Sequence, residues 1–155
     1  MVAITPELCN VIDAKLAEAG GLCQGAGNGK QTFCAEQLVA AVCGLPVNDR
    51  PECVEYAVQR FGIRINDSQW SSPEARAKGL RDFLIAQIGS KGVVNGVEFA
   101  KRVAEATIRQ IVPIALRAAK LNPKHADELE AAAKRCETEG TQEAAINARD
   151  VARVA

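Results

Sequence analysis

Helix start and stop signals divide this chain from end to end and leave no pair of strands to build a sheet. Thr5 followed by Pro6 reads as an N-cap with proline at the first helical position. That helix runs to about Ala19, with Leu8, Ile12 and Leu16 on one face, and Gly20-Gly21 stops it. Residues 20–31 form a glycine-rich loop. Thr32 caps a second helix through Cys43, which buries Leu38, Val39 and Val42 and ends at Gly44. A connector follows to Asp49. Asn48 or Asp49 then caps a third helix, with Val54, Ala57, Val58 and Phe61 as its stripe and Gly62 as its stop. The next stretch, Ile63-Arg64-Ile65-Asn66-Asp67, alternates like a strand but has no partner, so it reads as extended linker.

Ser72-Pro73-Glu74 opens a fourth helix to about Ile88, with Ala77, Leu80, Leu84 and Ile88 inward. Asn95 caps the longest helix, about 96–121, whose buried face is Phe99, Val103, Ala106, Ile111 and Ile114. Pro113 lies inside it and predicts a kink near Arg109, where a carbonyl loses its donor. Asn122-Pro123 restarts a helix to Glu139, and Gly140-Thr141 hands over to a last one. The expectation is an all-α bundle of about seven helices, residues 1–155 forming one domain. Its extension, 123–155, is rich in alanine, with Leu129, Cys136, Ile146, Val151 and Val154 as the larger anchors. Such a segment must lie across the rest of the fold or find another chain.

Composition narrows the function. Of 155 residues, 48% are hydrophobic but only 4% aromatic, and the formal net charge is zero. Alanine forms helices well but releases little apolar area on burial. Balanced charge argues against nonspecific binding to nucleic acid. No run of residues is long and apolar enough to span a membrane. The start, Met1-Val2-Ala3-Ile4, lacks the basic and apolar regions of a secretory signal, so a cytoplasmic protein with reduced thiols is expected. The six cysteines contain no C-x-x-C pair and His125 is the only histidine, so neither a metal nor a cofactor is expected. If the second and third helices form a hairpin, however, Cys43 and Cys53 approach each other.

Four places invite a functional reading. Gly29-Lys30 is not a phosphate loop, because Gln31 and Gln24 stand where Ser or Thr and Gly are required. The amides of Gly25–Lys30 and the start of the next helix still offer a site for a small anion or nucleotide within 25–32. Cys34 sits in a first helical turn, where the dipole favours thiolate, and Glu36 follows it. With Asp49 and Asp67, each placed before a helix, these are the candidate catalytic residues. Trp70 either plugs a gap, with its indole N–H on a carbonyl, or joins Asp67 and Arg76 in a binding surface.

From about residue 34 to 120 the chain resembles small, alanine-rich, predicted-helical bacterial proteins of no assigned function. The resemblance rests on Cys34-x-Glu36-Gln37 and on Gly44-Leu45-Pro46-x-x-Asp49-x-Pro51-x-Cys53-Val54. It continues through Ile65-Asn66-Asp67-x-x-Trp70-Ser71-Ser72, Ala75-Arg76-Ala77 and Ala86-Gln87-Ile88-Gly89. It implies a helical bacterial domain and carries over no catalytic residue. Val47 replaces a histidine associated with that position, which weakens any histidine-dependent chemistry.

The leading expectation is a noncatalytic module that binds a protein partner or a second copy of itself. The alternative is a small enzyme with a pocket at the Cys34–Glu36 helix start, assisted by Asp49 or Asp67. Anion or nucleotide binding at the Gly25–Lys30 loop comes third.

Overall fold

The computed structural model describes residues 4–119 and 123–155. Eight α-helical segments, two of them joined through a π turn into one longer helix, and no strands make up its regular structure among the described residues. The chain divides into two compact units, one up to Phe99 and one from Ala100 onward. No helix among the described residues is long and apolar enough to cross a membrane. The opening residues before Ile4, and Asn122 with its expected helix restart, lie outside the described residues.

In the first unit, α1 (Pro6–Glu18) starts where expected: the Thr5 hydroxyl accepts from the Leu8 amide at 3.3 Å. Its Ile12 and Leu16 are buried. Helix α2 is shorter than expected, Ala35–Val42, and its N-cap is Cys34 rather than Thr32. The Thr32 hydroxyl instead accepts from Asn28 N inside the glycine loop. Helix α3 (Tyr56–Asp67) departs furthest from the sequence reading. Neither Asn48 nor Asp49 caps it; Glu55 does, and the supposed linker 63–67 is its last turn and more. Gly62 lies inside the helix because there is no space for a side chain. A Cβ there would run into Glu36 Oε1 and stand 2.8 Å from the Phe83 ring. A glycine chosen for close approach looks in sequence like a glycine chosen to end a helix.

Helix α4 (Pro73–Gln87) agrees with expectation, its N-cap Ser72 hydroxyl accepting from Ala75 N at 3.1 Å. Around these helices lies a core of Ile12, Leu22, Phe33, Leu38, Leu80 and Leu84. Phe61 links Phe83 and Phe99 edge-on, with centroids 5.6 and 5.8 Å apart.

Asn95 caps α5 (Gly96–Ala106) through its side-chain oxygen, which accepts from Val97 N and Glu98 N. The helix continues through a π turn, Thr107–Ile111, into α6 (Val112–Ala118). The turn answers Pro113: Val112 N, one residue before the ring that lacks a donor, donates to Thr107 O five residues back. The extra residue rotates everything after it. Ile111 and Ile114, expected inward, are therefore 58% and 65% exposed, while Pro113 and Leu116 are buried. A short 3-10 turn, Pro123–His125, precedes α7 (Ala126–Glu139), and Thr141 caps α8 (Gln142–Val154). In this unit Leu116, Leu129, Cys136 and four alanines form the core.

Candidate functional site

The first unit gathers Cys34, Glu36, Asp49 and Asp67 around one cavity of about 50 Å3, with Asn66, Ile63 and Gly25 in its wall. Hydrogen bonding explains how residues so far apart in sequence meet. Asn66, at the end of α3, accepts from Ala35 N at 3.2 Å and donates to Cys23 O at 3.1 Å. It thereby ties the start of α2 to the glycine loop. Asp67 continues the clamp: its Oδ1 accepts from Gly25 N at 2.9 Å and from the Asn66 amide at 3.0 Å. Gln37 reaches the same loop from α2, accepting from Gly27 N at 2.8 Å and donating back to Gly27 O at 3.1 Å.

The loop itself is cross-braced. The Asn28 side-chain oxygen accepts from the amides of Lys30, Gln31 and Thr32, and Gly29 N donates to Thr32 O. The amides of 25, 27 and 28 are taken by Asp67, Gln37 and Thr32. These donors, which an anion at 25–32 needs, are directed at the protein's own acceptors.

Glu36 is the unusual member. It has no exposed surface, and burial pushes its carboxyl up to about 8. Gln87 opposes that shift: in the orientation that satisfies both groups, its amide nitrogen donates to the two Glu36 oxygens at 3.1 and 3.3 Å. The charge of Asp49 pushes Glu36 further up. At neutral pH Glu36 is thus a protonated acid, able to donate a hydrogen bond and poorly suited to act as a base. Cys34 is also buried, and burial pushes its thiol up despite the amides at the helix start. The thiolate expected from its position is suppressed by desolvation. Asp49 stays on the exposed connector, 4.0 Å from Arg50 Nε.

Trp70 and Arg76 do not share an exposed surface. The indole N–H donates to Ile65 O at 2.9 Å and the ring fills the space left by Gly79. Arg76 is 6% exposed; its Nη1 donates to Leu22 O at 2.8 Å, and its Nε has no hydrogen-bond partner. Among the described residues, no group of three or more His, Cys, Asp or Glu side chains is arranged to hold a metal ion. His125 stands at the start of α7, its Nδ1 3.1 Å from Glu128 Oε2. Nothing in the sequence pattern gave Asn66 or Gln87 a part in the site. The first was hidden by reading 63–67 as linker, and the second is a plain polar residue in a helix.

The second unit carries an apolar groove of about 300 Å3 between α6 and α8. Helix α6 lines it with Val112, Ala115, Leu116 and Ala119, and α8 with Ala145, Ala148, Arg149 and Ala152. Both sets follow i, i+3, i+4, i+7 spacing, the ridge pattern of a helix that faces another helix. Helix α7 packs against both α6 and α8. Arg117 closes one side of the α6–α7 contact, forking to Glu130 at 3.0 Å and to Glu137 at 3.0 Å. Arg109, presented by the π turn, donates to the last carbonyls of α7, those of Glu137, Thr138 and Glu139.

Comparison with known protein families, with curated proteins and with solved structures finds no match.

Proposed function

We propose that the protein is a self-associating helical module, and that the groove between α6 and α8 receives a helix from a second copy. One observation carries this reading: hole and knob sit on the same helix. Beside the groove, Ile114 of α6 and Ile111 at the end of the π turn before it are exposed to solvent, and five of the eight residues lining the groove are alanines. A two-fold interface requires that self-complementarity, because each surface must supply what the other receives. The thin core supports it too. Leu116 and Leu129 are the only large aliphatic side chains in the buried cluster of this unit among the described residues. Units of this size gain much from association.

Sedimentation velocity over a concentration series tests the reading. The wild-type chain is expected to pass from monomer to dimer. Ala115→Glu and Ala152→Glu in the groove and Ile114→Glu on the knob are expected to hold it monomeric with unchanged helicity. A wild-type chain that stays monomeric at its highest soluble concentration overturns the reading.

A second reading, a small acid–base pocket in the first unit, has Glu36 in its favour. A neutral acid beside a cavity can donate to a small acceptor group. About 50 Å3 admits little more than one or two waters' worth of volume, well below an ordinary substrate pocket. Burial raises the Cys34 thiol, which disfavours the thiolate that a nucleophilic attack requires. The pocket is therefore the lesser of the two readings.

A further inference from the structure

We propose that Cys43 and Cys53 are a redox pair, which a hydroperoxide converts into a disulfide that closes the connector between α2 and α3. Their sulfurs lie 3.9 Å apart and both cysteines are free. The two backbones are held in place from either side. Cys43 caps α2, its N donating to Val39 O at 3.1 Å, and Leu45 N returns to Ala40 O at 2.9 Å across Gly44. Cys53 lies in the turn where Val54 N meets Pro51 O at 3.0 Å, and its own carbonyl accepts from Lys91 N at 3.1 Å. Closing the remaining sulfur gap therefore falls to side-chain rotation rather than to movement of a helix. Both residues are half-buried, within reach of a small oxidant. Cys23 and Cys136 differ, since their thiols donate to the carbonyls of Gly25 and Ala144.

The chemistry balances with the peroxide as sole oxidant. Burial pushes the Cys43 thiol up to about 12, so Cys53 is the attacking sulfur. It gives up its proton and attacks the O–O bond of hydrogen peroxide, forming a sulfenic acid, and the departing hydroxide takes that proton as water; from an organic hydroperoxide an alcohol leaves instead. The second thiol attacks that sulfur, the S–S bond forms, and the hydroxyl leaves as a second water with the thiol's proton. Two electrons pass from two sulfurs to one peroxide. The bond restrains residues 44–52, the segment that brings Asp49 to the cavity beside Glu36. It needs no ligand in that cavity and no second copy of the chain.

The test uses the full wild-type chain, reduced and then treated with hydrogen peroxide, with remaining thiols blocked by N-ethylmaleimide. Digestion after glutamate cuts beyond Glu36, Glu52 and Glu55, so peptides 37–52 and 53–55 separate unless a disulfide joins them. The expected result is the joined pair, lighter by two hydrogens than its reduced parts and released by dithiothreitol. Slower amide exchange over 44–52 in the oxidised chain is expected with it. Finding Cys43 and Cys53 both alkylated, singly oxidised, or bridged to other cysteines overturns the proposal. Cys43→Ser and Cys53→Ser should each abolish the joined peptide, and a joined product in either overturns the assignment.

Discussion

In the unit up to Phe99 the hidden side chains are large aliphatics such as Ile12, Leu22, Leu38 and Leu84, and polar Glu36, Asn66, Arg76 and Gln87 are hidden among them. In the unit from Ala100 the buried set is Leu116 and Leu129 with alanines and Cys136, and the charges stay at the surface in arginine forks. The contrast is one of thermodynamic margin. Burying a carboxyl or a guanidinium carries a desolvation cost that only a well-filled apolar core can offset. A core of methyl groups has no such reserve, so its polar groups remain wet. What alanine provides instead is close approach between helices, seen where α7 packs against α6 and α8.

Truncating a buried leucine in each unit should show the largest effect. Leu84 and Leu129 are both fully buried. Leu84→Ala and Leu129→Ala should each cost about 2–5 kcal/mol by denaturant unfolding. The thinner core makes a second outcome specific to Leu129→Ala: amides of α7 should exchange as though that helix were open. Protected α7 amides in that variant would mean the alanine contacts carry more than their area suggests.

Protonation separates the units next. The carboxyl of Glu36 is raised in the fold, from about 4.5 to about 8. Between those values the folded state holds a proton that the unfolded state has released. Stability therefore falls as pH rises through the window, at a slope approaching 1.4 kcal/mol per pH unit, on the order set by one proton. The contribution is complete below 4.5 and lost above 8. Exposed carboxylates held down by partners act in the opposite sense and at lower pH: Glu137 is lowered by Arg117, and Glu139 by Arg135. Glu36→Gln should flatten the alkaline slope in urea titrations at several pH values. An unchanged slope would mean that Glu36 is ionised in the fold.

The smallest effect concerns the end of α7. Gly140 adopts φ +64°, and a Cβ there would collide with the Arg109 guanidinium that caps the helix. Arg109→Ala removes three charge-assisted hydrogen bonds from a half-exposed site and should cost about 1–2 kcal/mol. Gly140→Ala should cost about 1 kcal/mol from its backbone alone. In the double variant the collision is gone, so the two losses should sum to less than their separate values. Full additivity would show that Arg109 and Gly140 do not interact.

Capping chemistry was readable from sequence at four helix starts, though not at those of α2 and α3. Thr5, Ser72, Asn95 and Thr141 start their helices by bonds within a few residues, and each was found by its own identity and the residues after it. What sequence could not reveal is set by contacts across the fold. Gly62 passed for a stop because the Glu36 and Phe83 side chains that require it lie on other helices. The burial of Ile111 and Ile114 was misplaced because one extra residue in the π turn turns the later face away. Cys34, Glu36, Asp49 and Asp67 were singled out for chemistry that their positions suggested. The cavity that unites them depends on Asn66, whose role is visible only once α3 extends through it.

Gly62 and Glu36 also make one steric unit out of two distant positions. The acid occupies the space that glycine leaves empty, so neither site is free to drift alone. In any related sequence, a side chain at position 62 demands a shorter residue at 36, and a retained glutamate demands a retained glycine. Correlated variation between these two positions would mark descent of this buried acid more reliably than either residue by itself.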